Sequence, residues 1–285
     1  MSISTSAPVI APRGPAPLGA RVRGLRDAVT MLRRDIRHAL RFPMMTASGM
    51  LVPVLLLLLF AGVFGPALRG TLGALAAGGR VSYIDYLTPG ILVMTVGFAA
   101  EATAVNVCMD MTEGIVARFR TMPISRMAVL TGQVAGSLIR TMISAAVVVG
   151  IAVAMGFRSS ASPAEWLAAA GIFALLTLTL TWLTVAFGLL AKTPAGANSL
   201  SLLPAILPFV SSAFIPAIAM TGGVRWFATN EPFTPVIDTL RGLLTGTAIG
   251  DRAILAIAWC AGLSLAGYLW ARLLYNRRPP APRVA

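Results

Sequence analysis

Six apolar runs limit what this chain can become: Met44–Gly65, Leu87–Met109, Met127–Gly156, Ala164–Ala191, Leu200–Met220 and Ala253–Tyr275. Each is at least as long as the roughly 20 residues a helix needs to cross the hydrocarbon core of a bilayer. The alternation of apolar and polar residues that a membrane β-barrel requires is missing. Charged residues make up only 12% of the chain, about half the fraction usual in a soluble domain. The predicted fold is therefore an all-α integral membrane protein with six transmembrane helices, occupying residues 43–276.

The formal net charge of +13 would suit a nucleic-acid partner, but its distribution assigns it another role. If an even number of spans puts both termini in the cytoplasm, 16 of the 23 basic residues fall inside. Arg69, Arg80, Arg158, Arg225, Arg241 and Arg252 fall outside, and Arg140 lies within a span. The acids show no such bias. This is the positive-inside pattern, so the charge encodes orientation and no nucleic-acid partner is expected. The expected location is a bacterial plasma (inner) membrane, crossed several times. Cys108 and Cys260 are isolated and read as free thiols.

Residues 1–20, rich in Pro, Ala, Ser and Gly, read as a disordered tail. From Arg21 to Phe42, Val22, Leu25, Val29, Leu32, Ile36 and Leu40 repeat at helical spacing, with arginines mostly on the other face. That pattern predicts an interfacial amphipathic helix lying on anionic lipid. Thr88-Pro89-Gly90 reads as the opening of the second span, with Pro89 in a first helical turn. Glu101 sits about 12 Å above that span's inner end. It faces two readings with Arg140 of the third span: an intramembrane pair, or an arginine that snorkels inward. Span four follows Ser162-Pro163, and its Thr177, Thr179, Thr181 and Thr184 read as helix packing and backbone bonding. In span five, Pro204, Pro208 and Pro216 imply kinks and freed carbonyls. Pro204, Pro208, Ser211 and Ser212 are therefore candidates for lining a path. In the outer segment, Thr234 reads as an N-cap before Pro235, with Gly246 as a stop. The expected helix, 235–246, lies in or re-enters the outer interface, with Pro232 and Arg241 beside it. Trp226 and Phe227 fit an aromatic anchor. Residues 277–285 form a cytoplasmic tail.

Between spans two and three, residues 110–126 read as an element rather than a plain connection. Ile115, Phe119 and Met122 share one helical face. Asp110 and Glu113 open the segment, Arg118 and Arg120 close it, and that order suits the helix dipole. Pro123 ends it. An apolar face flanked by arginines on the cytoplasmic side reads as a docking surface, with enforcement of topology as the plainer role for the arginines.

Several chemistries find no residues. His38 is the sole histidine, too few for a haem or multi-histidine metal site. No Gly-x-x-x-x-Gly-Lys-Ser/Thr motif is present, so the chain has no P-loop of its own and is not expected to be an enzyme or to bind a cofactor.

Three stretches together resemble the membrane subunits of ABC exporters of the ABC-2 type, particularly the daunorubicin-resistance-like permeases. They are Tyr86-Leu-Thr-Pro-Gly-Ile91, Asp110-Met-Thr-Glu-Gly114 with Arg118-Phe-Arg-Thr-Met-Pro123, and Glu231-Pro-Phe-Thr-Pro-Val-Ile-Asp-Thr-Leu-Arg241 with Leu243-Leu-Thr-Gly246. The resemblance implies six spans, a homodimer, and two copies of a separate ATPase subunit that carries ATP and Mg. It makes residues 110–126 a coupling segment, with Asp110, Glu113, Gly114, Ile115, Arg118, Phe119, Arg120 and Pro123 gripped by the ATPase. Where the family commonly has an Arg and an Asp, this chain has Gln133 and Ser137, which weakens the case for a polar role at the start of span three. The implied cargo is a drug-like amphipathic molecule. A lipid or lipid-linked glycan is the alternative within the same mechanism. An ion-coupled carrier using Glu101 and a non-transporting membrane scaffold are alternatives outside it.

Overall fold

The computed structural model describes residues 43–65, 82–112, 128–216 and 219–277. The predicted tail 1–20, the interfacial helix 21–42, residues 113–126 of the coupling segment and the end of the chain from 278 lie outside the described residues. The described residues form α1 (Pro43–Leu59, continued by a π-helical turn Phe60–Phe64), α2 (Tyr83–Thr112), α3 (Ala128–Ala154) and α4 (Pro163–Leu190). They continue with α5 (Pro194–Ile206, extended by a 3-10 turn Leu207–Val210), α6 (Gly222–Asn230), α7 (Phe233–Thr245) and α8 (Arg252–Arg277).

The bundle is built around α2. Every residue from Tyr83 to Gly97 is buried, as expected for a helix that is apolar on all sides. Further along, burial narrows to a stripe of Ala100, Thr103, Ala104, Val107 and Cys108. Thr88 and Thr95 keep their buried hydroxyls satisfied by donating to the carbonyls of Ile84 and Ile91 at 2.7 and 2.9 Å. Around α2 stand α1, α3, α4, α5 and α7, while α8 packs on α4 and α7. Only one stripe of α8 is buried, Ala256, Cys260, Gly267, Ala271 and Tyr275. Thr179 fastens that stripe to α4, its hydroxyl reaching the Cys260 carbonyl at 2.9 Å. Both cysteines are buried, and neither is in a disulfide.

Local signals explain several boundaries. Ser162 caps α4 in a reciprocal box: its hydroxyl accepts from the Glu165 amide, and the Glu165 carboxylate accepts from the Ser162 amide at 2.6 Å. This satisfies two of the orphan donors at a helix start. Gly246 ends α7 with φ +71°, the left-handed geometry a glycine adopts without penalty.

Three predicted boundaries move. α2 begins at Tyr83, so Pro89 lies inside the helix instead of in its first turn. α7 begins at Phe233, which makes Pro232 the N-cap position and removes Thr234 from that role. α5 begins at Pro194, capped by the Thr193 hydroxyl that accepts from the Gly196 amide at 3.1 Å. Its 13 residues rise only about 20 Å at 1.5 Å each, short of the roughly 30 Å hydrocarbon core. With Pro204 inside it, Pro208 in the 3-10 turn that extends it and no helix from Ser211 to Pro216, this run is a broken helix. Among the described residues four helices are long and apolar enough to cross a membrane: α2, most of α3 (Val129–Ala154), α4 and α8. Met50–Phe64 and Pro194–Val210 are shorter apolar helices.

Candidate functional site

The break after α5 sets the problem that the site answers. Backbone that leaves a helix within a membrane must find hydrogen-bond partners in protein. Residue Ser212, in the middle of the break, is buried, and each of its polar groups is engaged. Its amide donates to the Thr234 hydroxyl at 3.2 Å and its hydroxyl to Asp238 Oδ1 at 2.9 Å. Its carbonyl accepts from Tyr86 Oη and from Arg241 Nη2, both at 2.8 Å. Ser211 also turns inward, its hydroxyl donating to the Pro208 carbonyl at 2.6 Å.

Arg241 is the centre of this knot. Its Nη1 donates to Asp238 Oδ1 at 2.9 Å, and its guanidinium carbon lies 3.7 Å from the centre of the Tyr86 ring. Nε and Nη2 both approach the Tyr86 carbonyl at 3.4 Å. One planar cation thus holds three elements: α2 through Tyr86, the break through Ser212, and its own helix α7 through Asp238. Arg252, at the start of α8, stands 3.9 Å from the other Asp238 oxygen. Phe214 closes the apolar side, its ring centre 4.3 Å from that of Phe60 in the π-helical turn of α1.

Beneath the knot, Thr234 passes a hydrogen bond to Glu231 Oε1 at 3.1 Å. Glu231 is buried, and its Oε2 has no hydrogen-bond partner among the described residues. Burial pushes the carboxyl up to about 7, against the opposing effect of the Thr234 hydrogen bonds. Between an ordinary carboxyl value near 4.5 and about 7, the folded protein therefore holds a proton that the unfolded chain has lost. Stability then falls as pH rises through that window and is level above it. Glu231→Gln keeps an acceptor for Thr234 without the charge. The variant is expected to flatten this dependence and to unfold at a higher temperature than the parent above pH 7. Thermal unfolding in detergent at several pH values checks it, and an unchanged slope between pH 4.5 and 7 would contradict it.

The other end of α2 carries a second set of polar contacts. Thr103 donates to the Ser137 hydroxyl of α3 at 2.9 Å, and the Gln133 amide donates to Asp110. Gln133 and Ser137, whose departure from the family pattern weakens the case for a polar role at the start of span three, thus both tie α3 to α2. Asp110 itself belongs to the last turn of α2 and does not open a separate helix. The remaining predicted coupling residues, Glu113, Gly114, Ile115, Arg118, Phe119, Arg120 and Pro123, lie outside the described residues.

Glu101 and Arg140 are both half-buried on the adjacent helices α2 and α3. The ion pairs of Asp238 with Arg241 and Arg252 lie at the other end of α2, away from Glu101 and Arg140. Pro204, Pro208, Ser211 and Ser212 are buried within the chain. The outward face of α5 and its 3-10 turn includes instead Leu200, Leu203, Ile206 and Phe209. Of the predicted outer residues, Thr234 and Arg241 enter the knot, Pro235 is buried, and Pro232 marks the helix start. Tyr86, Glu231 and Asp238 are site residues that sequence reasoning does not single out, although each lies in a stretch that carries the family resemblance.

The family model described as ABC-2 type transporter matches residues 26–245. Among curated proteins, the chain is 26% identical over 232 residues to the daunorubicin resistance ABC transporter permease protein DrrB1 of Streptomyces coeruleorubidus, covering 80% of this chain and 78% of that one. It is 22% identical over 192 residues to a probable doxorubicin resistance ABC transporter permease protein, DrrC, of Mycobacterium tuberculosis, covering 65% of this chain and 70% of that one.

Proposed function

The chain belongs to the ABC-2 type transporter family, and from that premise we propose that it is the permease subunit of an ATP-driven exporter of drug-like amphipathic molecules. Its ATP and Mg are held by a separate ATP-binding-cassette subunit, two copies of which serve a homodimer of this chain. The observation that carries the reading is the similarity to two drug-resistance permeases, which spans most of either relative. The basic residues support an orientation in a bacterial plasma membrane with both termini in the cytoplasm. In that orientation α1 and α5 complete a set of six membrane helices, α5 as a broken helix, and the Arg241 knot lies at the outer end.

The knot then acts as an outer closure. It holds the broken end of α5 against α2 and α7, and cargo moves along the outward face of α5 instead of past the buried serines. Residues 110–126 dock on the ATPase: Arg118 and Arg120 make charge-assisted bonds, and Ile115, Phe119 and Met122 fill an apolar groove. Reversing Arg118 and Arg120 to Glu is expected to uncouple ATP hydrolysis from transport in membranes while insertion is retained. Unchanged transport would contradict the docking role. Glu101→Gln separates the ATP-driven pump from an ion-coupled carrier: drug efflux is expected to survive the change, whereas a carrier that uses Glu101 would stop.

A further inference from the structure

An apolar cleft of about 270 Å3 opens between α3 and α4, at the end of the bundle where α7 lies. Leu92 of α2 and Leu240 and Leu244 of α7 form its floor. Ala145 and Ala169, small residues facing across α3 and α4, leave the space unfilled. Apart from the indole of Trp166 at the rim, no hydrogen-bonding or charged side chain lines it. The volume is below the roughly 300–1,000 Å3 of pockets that enclose a whole drug-sized ligand. A hydrocarbon chain fits these walls better than a polar aromatic cargo does. Ala146 at the rim is exposed, as are its neighbours Ile143 and Val147 on α3 and Leu167 on α4. The mouth therefore lies on a face that lipid would solvate.

The α3–α4 loop, at the same end of the bundle, carries a cation. The Ser159 hydroxyl donates to the carbonyl of Leu244, one of the lining residues, at 2.8 Å, which ties the α3–α4 loop to the cleft. The preceding residue, Arg158, is exposed. Asp85 accepts from the amides of Arg158 and Ser82, and Glu165 accepts from Ser162, so both carboxylates of this region are turned to neutral donors.

We propose that the cleft holds one acyl chain of an anionic glycerophospholipid from the leaflet next to α7, with Arg158 meeting the lipid phosphate. The proposal rests on the membrane reading of the chain, and neither the cargo nor the ATPase enters it.

The test is native mass spectrometry of the full chain, purified in a non-ionic detergent after exposure to vesicles of equal parts phosphatidylglycerol and phosphatidylcholine. The parent chain is expected to retain one phospholipid, with phosphatidylglycerol favoured about fivefold, the effect of one arginine near an anionic lipid surface. Ala146→Phe, placed at the exposed rim where it need not disturb the core, should abolish retention without shifting the unfolding temperature. Arg158→Glu should retain a phospholipid but lose the preference. Retention unaffected by Ala146→Phe, retention of detergent only, or an unchanged preference in Arg158→Glu would each overturn the proposal. Displacement of the lipid by doxorubicin at one per chain would overturn it in favour of a cargo site. Because retention is read without ATPase or transport, failure here leaves the exporter reading to its own tests.

Discussion

Arg241→Ala is expected to destabilise the folded chain by about 2 kcal/mol, between the small cost of losing a surface ion pair and the larger cost of breaking a buried one, because Arg241 and Asp238 are only partly buried. The loss exceeds that of a single hydrogen bond because Arg241 answers Asp238, the Ser212 carbonyl and the face of Tyr86 together. Without it, Asp238 keeps only the Ser212 hydroxyl and the more distant Arg252. Arg241→Lys should not restore the parent value. A lysine ammonium is a point charge, lacking the planar fork that bonds two acceptors while stacking on a ring. A series of thermal unfolding curves in detergent checks both variants. An Arg241→Lys protein as stable as the parent would show that charge alone matters at this position. In the proposed exporter, the same loss should leave the outer end open and raise ATP hydrolysis without cargo.

The second large effect lies at the crossing of α2 and α4. A Cβ on Gly188 would meet the backbone of Ala104, whose Cα is 3.2 Å away and whose carbonyl oxygen is closer still. Neither atom is the end of a flexible side chain, so the two helices would have to part. Close approach through small residues is the means by which helices associate in lipid, where burial alone supplies little drive. Gly188→Val is expected to cost more than the roughly 1–3 kcal/mol of ordinary overpacking. The expected result is little monodisperse protein on size exclusion. Gly171 lies on the same helix, and a Cβ added there would have no atom within 4 Å. It supplies the control: Gly171→Ala should be neutral or stabilising by up to about 1 kcal/mol. Equal behaviour of the two variants would contradict the close-packing account.

Much of the architecture is legible in the sequence because it depends on local chemistry and apolar length. Ser162-Pro163 announces α4, and Gly246 announces the end of α7. The threonines of α4 read as packing residues, and the structure uses Thr179 in that way against Cys260. The misplaced boundaries share a cause: a proline or a cap residue has a local habit, and a tertiary contact overrides it. Pro89 has the habit of a first turn, but α2 extends six residues further back, where burial of Tyr83 and Tyr86 outweighs local preference. Thr234 has the chemistry of an N-cap, yet its hydroxyl serves Ser212 and Glu231. Thr193-Pro194 is as clear a helix start as Ser162-Pro163, but a search for apolar length passes over it because Pro194-Ala-Gly-Ala-Asn is not apolar enough to count as a span. Helix α6 escapes for the same reason, being short and mostly exposed.

The candidate site is legible only as scattered residues. Arg241, Ser212 and Thr234 each stand out in the sequence, but on three separate grounds. No periodicity links Ser212 to a helix that begins 21 residues later, and no spacing rule joins Tyr86 to Arg241 across 155 residues. The physical demand that does link them, partners for the backbone of a broken membrane helix, is visible only once the break is seen to fall at Ser211–Pro216.

The central claim, that this permease works with a separate ATPase gripped through residues 110–126, is tested most directly by co-purification. The chain is extracted from its native membranes in mild detergent, and the P-loop proteins that remain bound are identified and quantified. One ATP-binding-cassette protein is expected at one copy per chain, lost when Arg118 and Arg120 are both changed to Glu. Recovery of the intact chain with no such protein, under conditions that preserve other membrane complexes, would contradict it.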